Sequence, residues 1–76
     1  MTRYILLSTV YCGNRSYGIG LVEYDGSRPV LIESWPDLSQ NVSRVRRFVN
    51  ACNRLGLDPV HLRDAAEDFD SFENTL

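Results

Sequence analysis

The residue types that most often carry chemistry are few in this chain and lie far apart along it. Its single histidine is His61, near the start of a predicted helix, and its two cysteines are Cys12 and Cys52. A catalytic nucleophile needs an adjacent base and a third group that orients the base. The spacing of these three residues indicates no such arrangement, so we expect no catalytic residues and predict that the protein is not an enzyme.

Acidic residues concentrate in the last part of the chain, at Asp64, Glu67, Asp68, Asp70 and Glu73. A calcium loop of the EF-hand type requires oxygen ligands at fixed spacing, which this run lacks. Exposed carboxylates of this kind usually only keep a protein soluble. We therefore expect no metal, no cofactor and no small-molecule ligand.

Length and composition predict one small domain spanning residues 1–76. The chain is 43% hydrophobic and 24% charged, as is typical of soluble globular proteins. A core in a chain this short contributes only about 3–5 kcal/mol, so a partner or a second copy would add useful stability. The cysteines lack the close spacing of zinc or redox motifs, and the first residues do not form a signal peptide. We expect reduced thiols, a cytoplasmic location and no membrane contact.

Three alternating apolar segments predict β-strands, over Tyr4–Tyr11, Tyr17–Tyr24 and Pro29–Trp35. The turns between them are predicted at residues 12–16, centred on Asn14, and at Asp25-Gly26, a favoured hairpin dipeptide. Proline cannot donate a hydrogen bond within a sheet, so the third strand should lie at an edge and the second strand in the centre.

Two helices should follow the strands. Asp37 and Gln40 resemble a capping box for the first helix, and Gly56 is suited to end it. Asp58 and Pro59 are typical of the start of the second helix. The apolar stripe of the first helix is Val42, Val45, Phe48, Val49, Cys52 and Leu55. The predicted fold is therefore α+β: a three-stranded antiparallel meander followed by two helices, β-β-β-α-α.

Both faces of the predicted sheet carry large apolar groups, whereas an open antiparallel sheet usually has one polar face. Counting outward from the two predicted turns pairs Leu21 with Val30 and Ile19 with Ile32, on a core face that also holds Ile5 and Leu7. The second face then comprises Tyr4, Leu6, Val10, Val22, Tyr24 and Leu31 around Gly18 and Gly20. Either each helix covers one face, or the second face meets another molecule, for which we favour a twofold dimer.

All eight basic residues are arginines, and charge is segregated along the chain. Residues 41–55 contain four arginines and no acid, and Arg44, Arg47 and Arg54 should form a ridge on the first helix. This ridge could contact nucleic acid, pair with the acidic second helix, or simply be solvated. The net charge of −2 and the isoelectric point near 5.1 oppose nucleic-acid binding.

Three short motifs carry a resemblance to a known family: Tyr17-Gly18-Ile19 in a strand, and His61-Leu62-Arg63-Asp64 and Glu67-Asp68-Phe69 in the final helix. They are similar to motifs in a family of short bacterial proteins described only as a domain of unknown function. The resemblance implies a β-meander with helices and transfers no catalytic residue. The residues themselves favour a non-enzymatic protein that acts through protein contacts, as a homodimer or a small regulatory adaptor, with nucleic-acid binding through the arginine ridge as the alternative.

Overall fold

Three antiparallel strands followed by helices make up the computed structural model, which describes residues 1–69. The strands are β1 (Thr2–Tyr11), β2 (Asn14–Asp25) and β3 (Arg28–Ser39), in the sheet order β1-β2-β3. The predicted α+β meander and its central second strand are therefore confirmed. Of the predicted acidic cluster, Asp70 and Glu73 lie outside the described residues.

The first helix, α1 (Val42–Leu55), begins later than the sequence predicted. Its N-cap is Asn41, whose side-chain oxygen accepts hydrogen bonds from the amides of Ser43 and Arg44 at 3.1 and 3.2 Å. Asp37 was wrongly predicted as the cap. It lies within β3, where its carboxylate accepts a hydrogen bond from the hydroxyl of Ser16 on β2.

The segment after α1 follows the predicted capping pattern. Gly56 adopts the left-handed conformation, with φ of 65°, and ends the helix. Asp58 then accepts a hydrogen bond from the amide of Val60 at 3.1 Å and caps a 3₁₀ turn, Pro59–His61. That turn leads directly into α2 (Leu62–Glu67).

The first hairpin turn is tighter than predicted, and this changes which side chains share a face. Cys12 and Gly13 form a two-residue turn with φ of 50° and 81°, and Tyr11 pairs with Asn14. Positive φ at both central residues is the property of a type I′ turn. The predicted turn centred on Asn14 would have placed Tyr11 and Tyr17 on one face. The actual register differs by an odd number of residues, so every β1 side chain lies on the opposite face from the one predicted.

The pairing of β2 with β3 also departs from the predicted register. The loop residues are Gly26 and Ser27, and Asp25 pairs with Arg28. An irregularity between Val22 and Leu21 then inserts one extra residue, Ile32, into β3. The shifted loop and the extra residue together make the predicted Leu21–Val30 and Ile19–Ile32 pairs wrong: Leu21 pairs with Glu33 and Ile19 with Trp35.

Both helices pack on one face of the sheet. Phe48 of α1 lies edge-to-face with Phe69, with ring centroids 5.3 Å apart. The buried core is formed by Tyr4, Ile19, Leu21, Val45, Phe48, Val49, Cys52, Leu62 and Phe69. The molecule measures 34 × 31 × 18 Å. The short dimension fits two layers, one of strands and one of helices, so the alternative with a helix on each side of the sheet is wrong.

Candidate interaction surfaces

The face of the sheet that points away from the helices carries large apolar residues, and we call the five that lie away from the first turn the open face. They are Ile5, Leu7, Val22, Tyr24 and Leu31. The register places their side chains on the face opposite to that of the core residues Tyr4, Ile19 and Leu21. Leu31 is 53% exposed and Tyr24 37% exposed, whereas Val22 is only 5% exposed. Val22, Tyr24 and Leu31 thus lie on the face predicted for them.

Tyr4, Leu6 and Val10 were wrongly predicted on this face. Tyr4 is buried in the core beneath the helices, and Leu6 packs against the same core. The register puts Val10 on the helix side as well, but it lies near the far end of β1 and is 58% exposed. The physical reason is the two-residue turn at Cys12, which reverses the direction of every side chain in β1 relative to the prediction.

The two glycines of β2 are approached by residues of the same chain. At Gly20, a Cβ atom would meet the side chains of Leu31 and Leu7 at 3.0 and 3.2 Å. At Gly18, it would overlap the carbonyl oxygen of Trp35 and would lie 2.5 Å from the carbonyl carbon of Pro36. The space over Gly18 is therefore filled by the backbone of β3.

Tyr4 joins the sheet to α1 through hydrogen bonds at both of its ends. Its amide donates to Oδ1 of Asn53 and its carbonyl accepts from Nδ2 of Asn53, both at 2.9 Å. Its hydroxyl donates to the carbonyl of Leu57 at 2.8 Å. Burial raises the pKa of the Tyr4 phenol, so this hydroxyl keeps its proton as a donor. The side chain of Asn53 thus occupies the outer edge of β1 much as a neighbouring strand would.

The predicted arginine ridge of α1 is only partly directed to solvent. Arg47 and Arg54 are exposed, but Arg44 is half-buried and its guanidinium lies over the ring of Phe69, 5.2 Å from the ring centroid. Such a cation–π contact fixes Arg44 between α1 and the end of the described chain. Arg46, which the sequence analysis did not select, is exposed on the side of α1 that faces the edge of β1.

A groove of about 260 Å³ runs between the outer edge of β1 and α1. Two arginines, Arg3 and Arg46, line it together with the amide side chains of Asn50 and Asn53. Its floor is apolar and includes Leu6 and Val49. We call this the β1 groove.

The chemistry-bearing residues lie on separate elements, as their spacing suggested. Cys12 is in the first turn, Cys52 is buried in α1, and His61 is exposed at the end of the 3₁₀ turn. Cys52 lies beside Tyr4, and eight residues of extended strand, about 26 Å, separate Tyr4 from Cys12. Within residues 1–69, no three side chains of the metal-binding types come together. No helix in that same range has the length and apolar character needed to cross a membrane.

The two thiols should differ sharply in reactivity. Burial raises the pKa of Cys52 to about 11, so at pH 8 it is protonated as well as inaccessible, whereas Cys12 is exposed. We expect one thiol per folded chain to react rapidly with Ellman's reagent at pH 8, and the second only after unfolding in guanidinium. Cys12→Ser should abolish the rapid reaction. Rapid reaction of both thiols in the folded wild type would contradict the burial of Cys52.

Sequence reasoning missed the residues that build the β1 groove and the β1 half of the open face. Ile5 and Leu7 would have been found had Cys12-Gly13 been recognised as a two-residue turn. Asn53 gave no signal, because a polar residue beside an apolar helical stripe is ordinarily solvated.

The chain matches a model of a known protein family. A family model described as a family of unknown function (DUF6514) matches residues 1–71. No curated protein and no solved structure matches the chain.

Proposed function

We propose that this chain, which belongs to the family of unknown function DUF6514, is a non-enzymatic interaction protein that associates with a second copy of itself through the open face. The observation that carries the proposal is the exposure of Leu31 and Tyr24 beside Ile5 and Leu7, on the side of the sheet that no helix within residues 1–69 covers. Covering these side chains would remove apolar surface from water, which is the main driving force of association.

The charges around the open face favour a copy of the same chain as the partner. The centre of the face is apolar, and the charged residues Arg3 and Asp37 lie towards its opposite ends. If two copies pack face to face about a twofold axis, Arg3 of each copy can lie opposite Asp37 of the other. No like charges then meet at the centre of the interface.

The size of the open face predicts a weak dimer. Three strands of about six residues each cover about 14 Å by 20 Å. A stable interface buries about 800 Å² on each partner, so this face alone falls at the small, transient end of the range. We therefore expect a dimer whose dissociation constant is on the order of micromolar or above. We further propose a cytoplasmic location, which the two free cysteines favour, because disulfides rather than free thiols dominate in oxidising compartments.

The dimer is tested by changing an exposed residue of the open face. The wild-type molar mass, measured by sedimentation equilibrium with reductant present, should rise with concentration from 8.7 kDa towards twice that value. Leu31→Glu should keep the mass of a single chain at every concentration, because it introduces a charge that the interface would bury unpaired. Reductant is needed because Cys12 is exposed and could link two chains artificially.

The matched control is Val60→Glu, which places the same charge on an exposed apolar residue of the 3₁₀ turn, away from the sheet. This variant should associate as the wild type does. A wild type that stays a single chain up to millimolar concentration, or a Leu31→Glu variant that associates normally, would disprove the proposed interface.

A further inference from the structure

The backbone of β1 presents an edge at which hydrogen bonds can still be made. In an antiparallel pair, residues alternate between those bonded to the neighbouring strand and those directed outward. The carbonyl of Met1 accepts from the amide of Tyr24 on β2, whereas Tyr4 bonds outward to Asn53. The even-numbered residues of β1 are therefore the outward ones, and Leu6, Ser8 and Val10 follow Tyr4 in that series.

Asn53 satisfies this edge only at Tyr4. Its side-chain amide makes the pair of hydrogen bonds that one residue of an added strand would make. Within residues 1–69, no partner is seen for the outward amide and carbonyl groups of Leu6, Ser8 or Val10. Among the described residues, the edge is thus capped at Tyr4 and open from Leu6 to Val10.

The two edges of the sheet differ in how well they could accept a strand. On β3, Pro29 lacks an amide hydrogen and the irregularity at Ile32 bends the strand, and both features are known to discourage edge pairing. On β1, the register with β2 runs unbroken from Thr2 to Tyr11, and the strand contains no proline. Strand addition is therefore possible at β1 and disfavoured at β3.

Within residues 1–69, the charged groups along the open part of the β1 edge are arginines, whereas Asp58 lies near Tyr4 at the capped part. Arg3 and Arg46 line the β1 groove at one end of the open segment. Arg15 lies at the other end, where Nη1 donates to the hydroxyl of Ser8 at 2.6 Å. The acids of the sheet lie elsewhere, on the distal part of β2 and on β3, and neither β1 nor α1 contains one.

From this combination we infer that the outer edge of β1, between Leu6 and Val10, binds an extended acidic peptide as an added fourth strand. Main-chain hydrogen bonds to Leu6, Ser8 and Val10 hold the peptide, as in other proteins that bind peptides by strand addition. Arg46 and Arg15 select acidic residues at its two ends, and the exposed side chain of Val10 contacts an apolar residue. This surface borders the open face at Arg3, but the backbone groups that would bind the peptide are not part of the dimer interface, so neither proposal depends on the other.

The experiment uses a labelled peptide of matching chemistry, acetyl-DEVTVED-amide, with the full-length protein. Fluorescence anisotropy should show saturable binding at low salt that weakens as salt is added. The basic peptide acetyl-KKVTVKK-amide should not bind. Arg46→Glu should weaken binding of the acidic peptide by about tenfold, because an attractive charge becomes a repulsive one. Arg63→Glu, on the exposed side of α2, should bind as the wild type does.

Backbone pairing is tested separately from charge by amide hydrogen exchange measured by NMR. Exchange at Leu6 and Ser8 should slow when the peptide is bound, while exchange at Leu31 on the far edge stays unchanged. Failure of the acidic peptide to bind at low salt, or binding without slower exchange at Leu6 and Ser8, would overturn the inference. A single-stranded oligonucleotide that displaces the peptide, and that itself requires Arg46, would instead identify the groove as a nucleic-acid site and would also overturn it.

Discussion

Gly18→Ala is expected to leave most of the protein unfolded in the absence of denaturant. The added methyl group would overlap the carbonyl of Trp35 and approach the backbone of Pro36, so relief requires β3 itself to move. That movement would pull the half-buried Trp35 and Leu38 away from the core against which they pack. Overpacking a well-ordered site costs about 1–3 kcal/mol even when side chains can yield. A clash with the backbone should cost more than this. The loss is then comparable with the whole free energy of unfolding, about 3–5 kcal/mol, expected for a domain of this size.

The matched control is Gly20→Ala, two residues along the same strand and on the same face. Its methyl group would meet only the flexible side chains of Leu7 and Leu31, at 3.0–3.2 Å. Both variants gain the same group in the same kind of strand, so intrinsic strand preference cancels between them. Urea unfolding followed by the fluorescence of Trp35 should give a clear folded baseline for Gly20→Ala and none for Gly18→Ala. Equal stabilities would show that β3 does not lie against Gly18.

Phe48→Ala should lower the free energy of unfolding by about 3–5 kcal/mol. Phe48 is fully buried and among the largest side chains in the core, and its ring meets that of Phe69 edge-to-face at 79°. Truncation would leave a cavity between the sheet and both helices and would remove the aromatic contact. We expect loss of the near-ultraviolet circular dichroism signal, with binding of a hydrophobic dye to the loosened core.

Two further variants keep this prediction testable if Phe48→Ala does not fold. Phe48→Leu retains most of the volume and should cost less than about 2 kcal/mol, measurable by urea unfolding. Leu55→Ala lies on the same helix and in the same predicted apolar stripe, but Leu55 is 68% exposed. It should change stability by less than about 0.5 kcal/mol. A Leu55→Ala effect as large as that of Phe48→Ala would mean that α1 is rotated relative to the sheet.

The order and type of the elements were predictable because each depends on local patterns. Alternating apolar residues define the strands, the i, i+3, i+4 stripe defines α1, and Gly56, Asp58 and Pro59 stop one helix and start the next. In these places the local preference and the tertiary structure agree. The beginning of α1 was less well predicted because Asp37 and Asn41 are both good caps. Only the tertiary contact of Asp37 with Ser16 decides between them.

The register of the strands was not predictable by the same means. Cys12 takes a left-handed φ of 50°, which is uncommon for a residue with a side chain, so the sequence favoured a longer loop around Asn14. That single difference moves Tyr4 and Leu6 into the core and Ile5 and Leu7 out of it. The extra residue at Ile32 was equally unpredictable, because no adjacent glycine or proline indicates a β-bulge there.

The candidate surfaces were accordingly predicted in part. The prediction that Val22, Tyr24 and Leu31 share a face did not depend on the first turn, because these residues belong to β2 and β3. All three lie on the open face as expected. The β1 groove could not be predicted, because it requires knowing where α1 lies relative to the edge of β1. That placement depends on the interaction of Asn53 with Tyr4, two residues separated by 49 positions in the chain.

The same long separation has a consequence during synthesis. β1 is made before β2, β3 and α1, and it can pair with β2 as soon as the hairpin is complete. Its outer edge at Tyr4, however, gains its hydrogen-bonding partner only when Asn53 has been made and α1 has docked. Throughout the synthesis of β2, β3 and most of α1, the growing chain therefore carries a strand edge that is uncapped at Tyr4, and Asn53 is the residue that ends the exposure at that position.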